Sequence, residues 1–170
     1  MANHMVTLLP GIDVGVWIQV KDGHHRFADL YRRHYSCHRY ADNRRSQYGY
    51  RNRNLVLGPG EKMALLTPDW QAAFGWRRFI DASGQQGVNC AFFRNEGQQL
   101  SSWLILEAEK LAWRRWPGQR LYTYVDATAV MSTNPGYCYL RAGWRKCGFT
   151  QVRHLVILEK LPLFIKQGQP

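Results

Sequence analysis

The chain has no CxxC pair and only four cysteines in 170 residues: Cys37, Cys90, Cys138 and Cys147. The nine-residue step from Cys138 to Cys147 is no zinc signature, so no metal is expected and reduced thiols are the default state. Cys90 lies in the apolar run VNCAFF and should pack as a small hydrophobe. No apolar run approaches the roughly 20 residues that cross a bilayer, so no membrane partner is expected. The opening MANHMVTLLPGIDVGVW lacks a basic start and a clean apolar stretch, which argues against a secretory leader and for a cytoplasmic protein. Internal repeats and interdomain linkers are also missing, so residues 1–170 read as one domain.

Acidic residues are scarce. Asp and Glu total 12 against 23 Lys and Arg, a net charge of +11. A field of that sign favours polyanions, whether nucleic acid, the phosphates of a nucleotide cofactor or acidic surfaces. Hydrophobic residues make up 45% of the chain, enough for a core and too many for a disordered segment.

The periodicities give the element order. VGVWIQV, residues 14–20, alternates and is β-branched, which predicts a strand. Phe27, Leu30, Tyr31 and Tyr35 fall at helical spacing and predict an amphipathic helix over 24–35, with Asp22 available to cap it. Residues 36–54 show no period and predict a long loop, a type of segment that is usually functional. Strands are predicted over 54–58, 62–67, 72–80 and 88–95, and the short turns between them make an antiparallel meander. The period then changes to that of a helix over 101–116, with Ser101 or Ser102 as N-cap and Arg114 and Arg115 at its C-terminal end. A strand over 120–127, a short helical turn ending at Gly143 and a strand or strand pair over 149–161 follow. The strand–helix–strand unit 88–126 requires a parallel, right-handed crossover. The fold class expected is α/β, a mixed α+β sheet of about six or seven strands with helices on both faces.

Within that unit the strand 88–95 enters a polar loop, Arg94-Asn95-Glu96-Gly97-Gln98-Gln99, which opens the next helix. Backbone N–H groups at such a junction favour an anion. The segment resembles the acyl-CoA loop of the GNAT superfamily of N-acyltransferases, whose motif is Arg/Gln-x-x-Gly-x-Gly/Ala. Arg94 and Gly97 match, and Gln99 stands where Gly or Ala is usual. The helix Ser102–Ala112 is similar to the helix that follows this loop in the family. Downstream, Asn134 and Tyr139-Leu140-Arg141-Ala142-Gly143-Trp144 resemble the family's Asn followed by Tyr-x-x-x-Gly-Phe. The resemblance covers residues 88–145 directly, and the element order extends it over most of the chain.

The resemblance implies an acetyl-CoA or other acyl-CoA donor. Its pyrophosphate would lie on Arg94, Gly97, Gln98, Gln99, Ser101 and Ser102, with Asn134 nearby. A strand N–H near Phe93 would polarise the thioester carbonyl. Tyr139 would be the acid for the departing thiolate, and Asp126 or Glu96 the base acting through water.

From His24 to Arg53 there are eight Arg, four His and two Asp, a net of +6, with no Lys. Arg32, Arg33, Arg39, Arg44, Arg45, Arg51 and Arg53 can grip phosphates, and Tyr35, Tyr48 and Tyr50 can stack on bases. His34, Tyr35 and Ser36 form a polar trio at the end of the predicted helix. A basic GNAT-like chain with that trio is similar to the Mom-type DNA-modification proteins of phages. Acyl transfer to an amino group of a nucleic-acid base, DNA before RNA, is therefore the leading expectation. The alternatives are an ordinary N-acetyltransferase of a small amine or protein, and a nucleic-acid-binding module without chemistry.

Overall fold

Alternating apolar residues build a seven-stranded sheet in the computed structural model, which describes residues 15–39, 54–80 and 84–163. The strands are β1 (Ile18–Val20), β2 (Glu61–Leu66), β3 (Ala72–Arg78), β4 (Val88–Asn95), β5 (Leu121–Val125), β6 (Arg145–Phe149) and β7 (Val156–Lys160). The helices among the described residues are α1 (His25–Arg32), α2 (Tyr35–Arg39), α3 (Ser101–Arg115) and α4 (Tyr137–Arg141). The order across the sheet is β1-β2-β3-β4-β5-β7-β6. Neighbours are antiparallel except β4 and β5, which are parallel and joined by α3. The chain is thus an α/β protein with a mixed sheet.

Both faces of the sheet are buried. In β2, Met63 and Leu65 point to one side and Ala64 and Leu66 to the other, the period of two of a strand. The first side packs on Leu104, Ile105, Ala108 and Ala112 of α3 and on Tyr139 of α4. There the indoles of Trp17 and Trp76 donate to the backbone carbonyls of Leu104 (2.9 Å) and Ala108 (3.1 Å), so large apolar rings are buried without an orphaned N–H. The second side packs on Phe27 and Leu30 of α1, together with Leu57 and Phe92. Burying a side chain of this size stabilises by about 1.5–3 kcal/mol.

A bulge divides β4. Trp76 pairs with Cys90 but Gly75 pairs with Phe92, so Ala91 is the extra residue. A bulge bends and twists its strand, and here it also inverts the alternation. Cys90 packs on the α3 side, Ala91 and Phe92 pack on the α1 side, and Phe93 returns to the α3 side. The ladder between β4 and β5 ends at the same level, at Cys90↔Thr123, although β4 continues to Asn95. The two parallel strands therefore part where the bulge begins.

Several boundaries differ from the sequence pattern. Residues 54–58 are not a strand; the N–H groups of Val56 and Leu57 donate to the Asp22 carboxylate (2.8 and 3.2 Å), which is taken up there instead of capping α1. The helix expected over 24–35 stops at Arg32, where the His34 N–H turns back to Tyr31 O (2.9 Å), and a new helix starts at Tyr35. The N-cap of α3 is Leu100, with no side-chain cap, and Ser101 is already its first residue. The expected strand over 149–161 is a hairpin whose first strand begins earlier, at Arg145. Its turn is closed by Thr150, whose N–H donates to Leu155 O (2.9 Å) and whose Oγ1 accepts from Leu155 N–H (3.0 Å).

Candidate active site where the parallel strands part

Tyr139 reaches the parting of β4 and β5 because Gly136 allows α4 to start close to the sheet. Gly136 has φ +80°, a left-handed conformation that favours glycine, and a Cβ there would stand 2.7 Å from Leu158 Cδ1. The Tyr139 ring packs edge-on against Phe93 (6.3 Å) and Trp144 (5.0 Å). Its hydroxyl lies 3.2 Å from Cys90 Sγ. Burial is the main cause that holds the Tyr139 pKa well above that of an ordinary phenol. Burial likewise pushes the Cys90 thiol up to about 12. Both groups are protonated at neutral pH. The thiol can donate to the phenol oxygen, which leaves the Tyr139 O–H to donate elsewhere.

Trp144 is held from behind. Its Nε1–H donates to Glu109 (2.5 Å), and the other Glu109 oxygen accepts from Lys160 Nζ (2.6 Å). No sequence pattern marks Glu109, and the sequence marks Cys90 only as the small core hydrophobe that it is. Glu109 occupies a core position of α3, and a charged residue at such a position is the signal that could have found it.

His34, Tyr35 and Ser36 come from the opposite face of the sheet. The His34 ring lies 5.7 Å from Phe92 and 4.3 Å from Tyr35. The Tyr35 phenol adds slightly to the rise in the Tyr139 pKa. Burial, then the Arg94 charge, lowers the His34 pKa to about 4, so the imidazole is neutral. The Ser36 N–H donates to Nδ1 (3.3 Å), with Ser36 Oγ 2.7 Å away. Nδ1 is therefore an acceptor and Nε2 carries the hydrogen. His34 is a hydrogen-bond donor here, not a cation for phosphate.

The loop after β4 is built around Asn95. Its Oδ1 accepts from the Gly97 N–H (2.9 Å), and its Nδ2 donates to Gln99 O (2.7 Å) and Ser101 Oγ (3.0 Å). A Cβ on Gly97 would stand 3.0 Å from Gln71 Cβ, so the loop sits tightly on the β2–β3 turn. Gln98 and Gln99 are exposed, and Ser102 is partly exposed in the first turn of α3.

Glu96 is gripped by two arginines. Arg33 donates to both of its oxygens (2.8 and 2.9 Å), and Arg94 Nε donates to one of them (2.5 Å). Arg94 also donates to the carbonyl of Arg33 (2.6 Å). The Arg33 hydrogen bond leads in holding the Glu96 carboxyl at about 2, with Arg94 adding to it. A carboxylate so stabilised is a poor proton acceptor, and Glu96 acts as a clamp between the end of α1 and the tip of β4. Asp126 serves its own turn: Oδ1 accepts from Thr128 N–H (2.8 Å), Thr128 Oγ1 (2.6 Å) and Ala129 N–H (3.2 Å). That geometry gives both expected bases structural work.

Of the remaining site residues, Phe93 lies 5.2 Å from Phe74 and continues β4 past the ladder. Asn134 is exposed, and its carbonyl accepts from Tyr137 N–H (3.1 Å) as α4 begins. Arg32 is bound to Asp29 (2.6 Å) and Asn54 (2.7 Å). Arg39 ends α2. Arg44, Arg45, Tyr48, Tyr50, Arg51 and Arg53 lie outside the described residues. Among the described residues no helix is long and apolar enough to cross a membrane, and no three His, Cys, Asp or Glu side chains converge as a metal site requires. No family model, curated protein or solved structure matches the chain.

Proposed function

We propose that the chain is a GNAT-type N-acyltransferase of the cytoplasm that moves an acyl group from CoA to an amino group of a nucleic-acid base, in the manner of the Mom-type modification proteins. The observation that carries this reading is the buried, protonated Tyr139 hydroxyl beside the point where β4 and β5 part. The antiparallel meander and the parallel crossover from β4 to β5 match the element order over which the sequence resemblance extends, and so support the reading. The α3 N-terminus, with no side-chain cap and no acid in its first turn, supports a pyrophosphate there.

In the reaction the amine forms a C–N bond at the thioester carbon and the C–S bond breaks. The thiolate receives a hydrogen bond or proton from Tyr139, and the amine proton leaves through water. Binding of acetyl-CoA and CoA by calorimetry, with turnover of wild type and Tyr139→Phe, tests this. The variant should bind the donor normally and turn over about 10²–10⁴-fold more slowly. No donor binding up to millimolar ligand overturns the acyl-CoA assignment. The binding module without chemistry is favoured by one observation, the occupation of Arg94 by Glu96 and the Arg33 carbonyl. It predicts nucleic-acid binding with no donor binding.

A further inference from the structure

The turn between β2 and β3 holds a tryptophan where a glycine is usual. Trp70 has φ +59°, a conformation that bulky L-residues avoid. The turn imposes it through a set of short bonds. Thr67 Oγ1 donates to Asp69 Oδ1 (2.6 Å) and accepts from Ala72 N–H (2.9 Å), and Asp69 Oδ1 also accepts from Gln71 N–H (3.1 Å). Backbone strain that the surroundings over-determine is a pointer to function.

The ring so presented is backed and then left open. His24 stacks on it at 5.7 Å and 28°, and His25 stacks on His24 at 4.9 Å and 16°. His24 Nδ1 is buried without a partner among the described residues. Even so, Trp70 remains 37% exposed. It lines an open cleft of about 330 Å³ with Arg26 and Asp29 of α1 and Asp69 of its own turn. Arg26 has no ion pair among the described residues, unlike Arg32 and Arg33. Arg33 and Glu96 also line it, so the cleft offers one flat aromatic wall, one uncommitted guanidinium and three carboxylates, of which Glu96 is already held by Arg33 and Arg94. Its volume is at the small end of ligand pockets, suited to one nucleotide and not to a larger cofactor.

We propose that this cleft is a base-binding subsite in which one unpaired nucleobase of a single strand stacks on Trp70 and the adjoining phosphate lies on Arg26. The carboxylates of Asp29 and Asp69 accept hydrogen bonds from an exocyclic amino group, which favours cytosine over thymine. The inference rests on the nucleic-acid part of the proposed function and is independent of acyl transfer.

The test is fluorescence anisotropy of labelled single strands, oligo-dC, oligo-dT and an abasic strand of equal length, against wild type and Trp70→Gly. Glycine accepts the left-handed backbone, so this variant removes the ring without straining the turn, and a retained melting temperature verifies its fold. Trp70→Asn, whose side chain also tolerates that conformation, is the second variant if Trp70→Gly melts early. The expected result is a loss of about 5- to 150-fold on oligo-dC. Wild type should prefer oligo-dC to oligo-dT, and the abasic strand should bind both proteins equally. If wild type binds the strands and the Trp70 variants match it, the subsite is overturned while the nucleic-acid reading stands. If wild type binds no strand, both fall.

Discussion

Glu109→Gln removes one charge from the core behind Tyr139 and separates the ion pair from the packing around it. Glu109 is 2% exposed and accepts from Trp144 Nε1 (2.5 Å) and Lys160 Nζ (2.6 Å). The amide oxygen of Gln can still accept from Trp144. Lys160 keeps its bond to Ala142 O (2.7 Å) but loses its counter-charge. Stranding a fully buried charge costs about 3–5 kcal/mol. The Lys160 side chain is 20% exposed, so partial hydration brings the expected cost nearer 2 kcal/mol. For a chain of this size that is a fall of about 4–8 °C in melting temperature. Thermal melts by circular dichroism read it directly. Glu109→Gln with Lys160→Met removes both charges and should recover at least half of the loss. A Glu109→Gln variant that melts within about 1 °C of wild type, or a double variant no better than the single, refutes the reasoning. The pH dependence adds a sign. Burial outweighs both partners and raises the Glu109 pKa, so the folded state binds this proton more readily than the unfolded chain does. Its contribution is most favourable below the unfolded value and declines as pH rises through the folded one.

Glu96 has the opposite sign. Its folded pKa is lowered to about 2, chiefly by the Arg33 hydrogen bond, so its stabilisation is present above the unfolded value near 4.5 and is lost as pH falls through about 2. Because the clamp is solvent-screened, Glu96→Gln should cost only about 1 kcal/mol at neutral pH, shrink in high salt and converge on wild type near pH 2; parallel melting curves across that range would contradict it. At Gly75 an added Cβ would stand 2.4 Å from Leu57 Cδ2 inside the α1-side core. Gly75→Ala should therefore cost about 1–3 kcal/mol, and Gly75→Ala with Leu57→Ala should cost less than the two separate losses together. Strict additivity in denaturant melts would show that Leu57 is not what the methyl meets.

Elements whose burial is set by their own periodicity were legible in the sequence. α3 is one, since Leu104, Ile105, Ala108 and Ala112 form one face, and the strands β2 to β5 are others. The misreadings lie where distant residues decide. Leu55-Val56-Leu57 looks like a strand, but Asp22, more than thirty residues away, takes the N–H groups a neighbouring strand would have taken. β6 left no hydrophobic period because it is an edge strand with mostly exposed side chains. At the site, the tyrosine motif pointed to Tyr139, while its partner Cys90 is supplied by β4 across the core. Glu96 read as a base because nothing local reveals that Arg33, from α1, completes its clamp. The bulge at Ala91 is a property of pairing with Gly75, which a single strand's pattern does not carry.

The same logic applies to the positive charge. Eight arginines between His24 and Arg53 suggest a broad phosphate-binding face. Arg32 and Arg33 are already bound to Asp29 and Glu96. A phosphate that reaches either guanidinium must displace a carboxylate, and the exchange of one anion for another returns little of the counterion release that drives polyanion binding. Arg26, which has no ion pair among the described residues, gives that release in full. The net charge of the segment therefore overstates its α1 part as a polyelectrolyte site. It leaves α1 suited to recognition through one free cation beside a stacking ring, because affinity at such a site comes from geometry more than from summed charge.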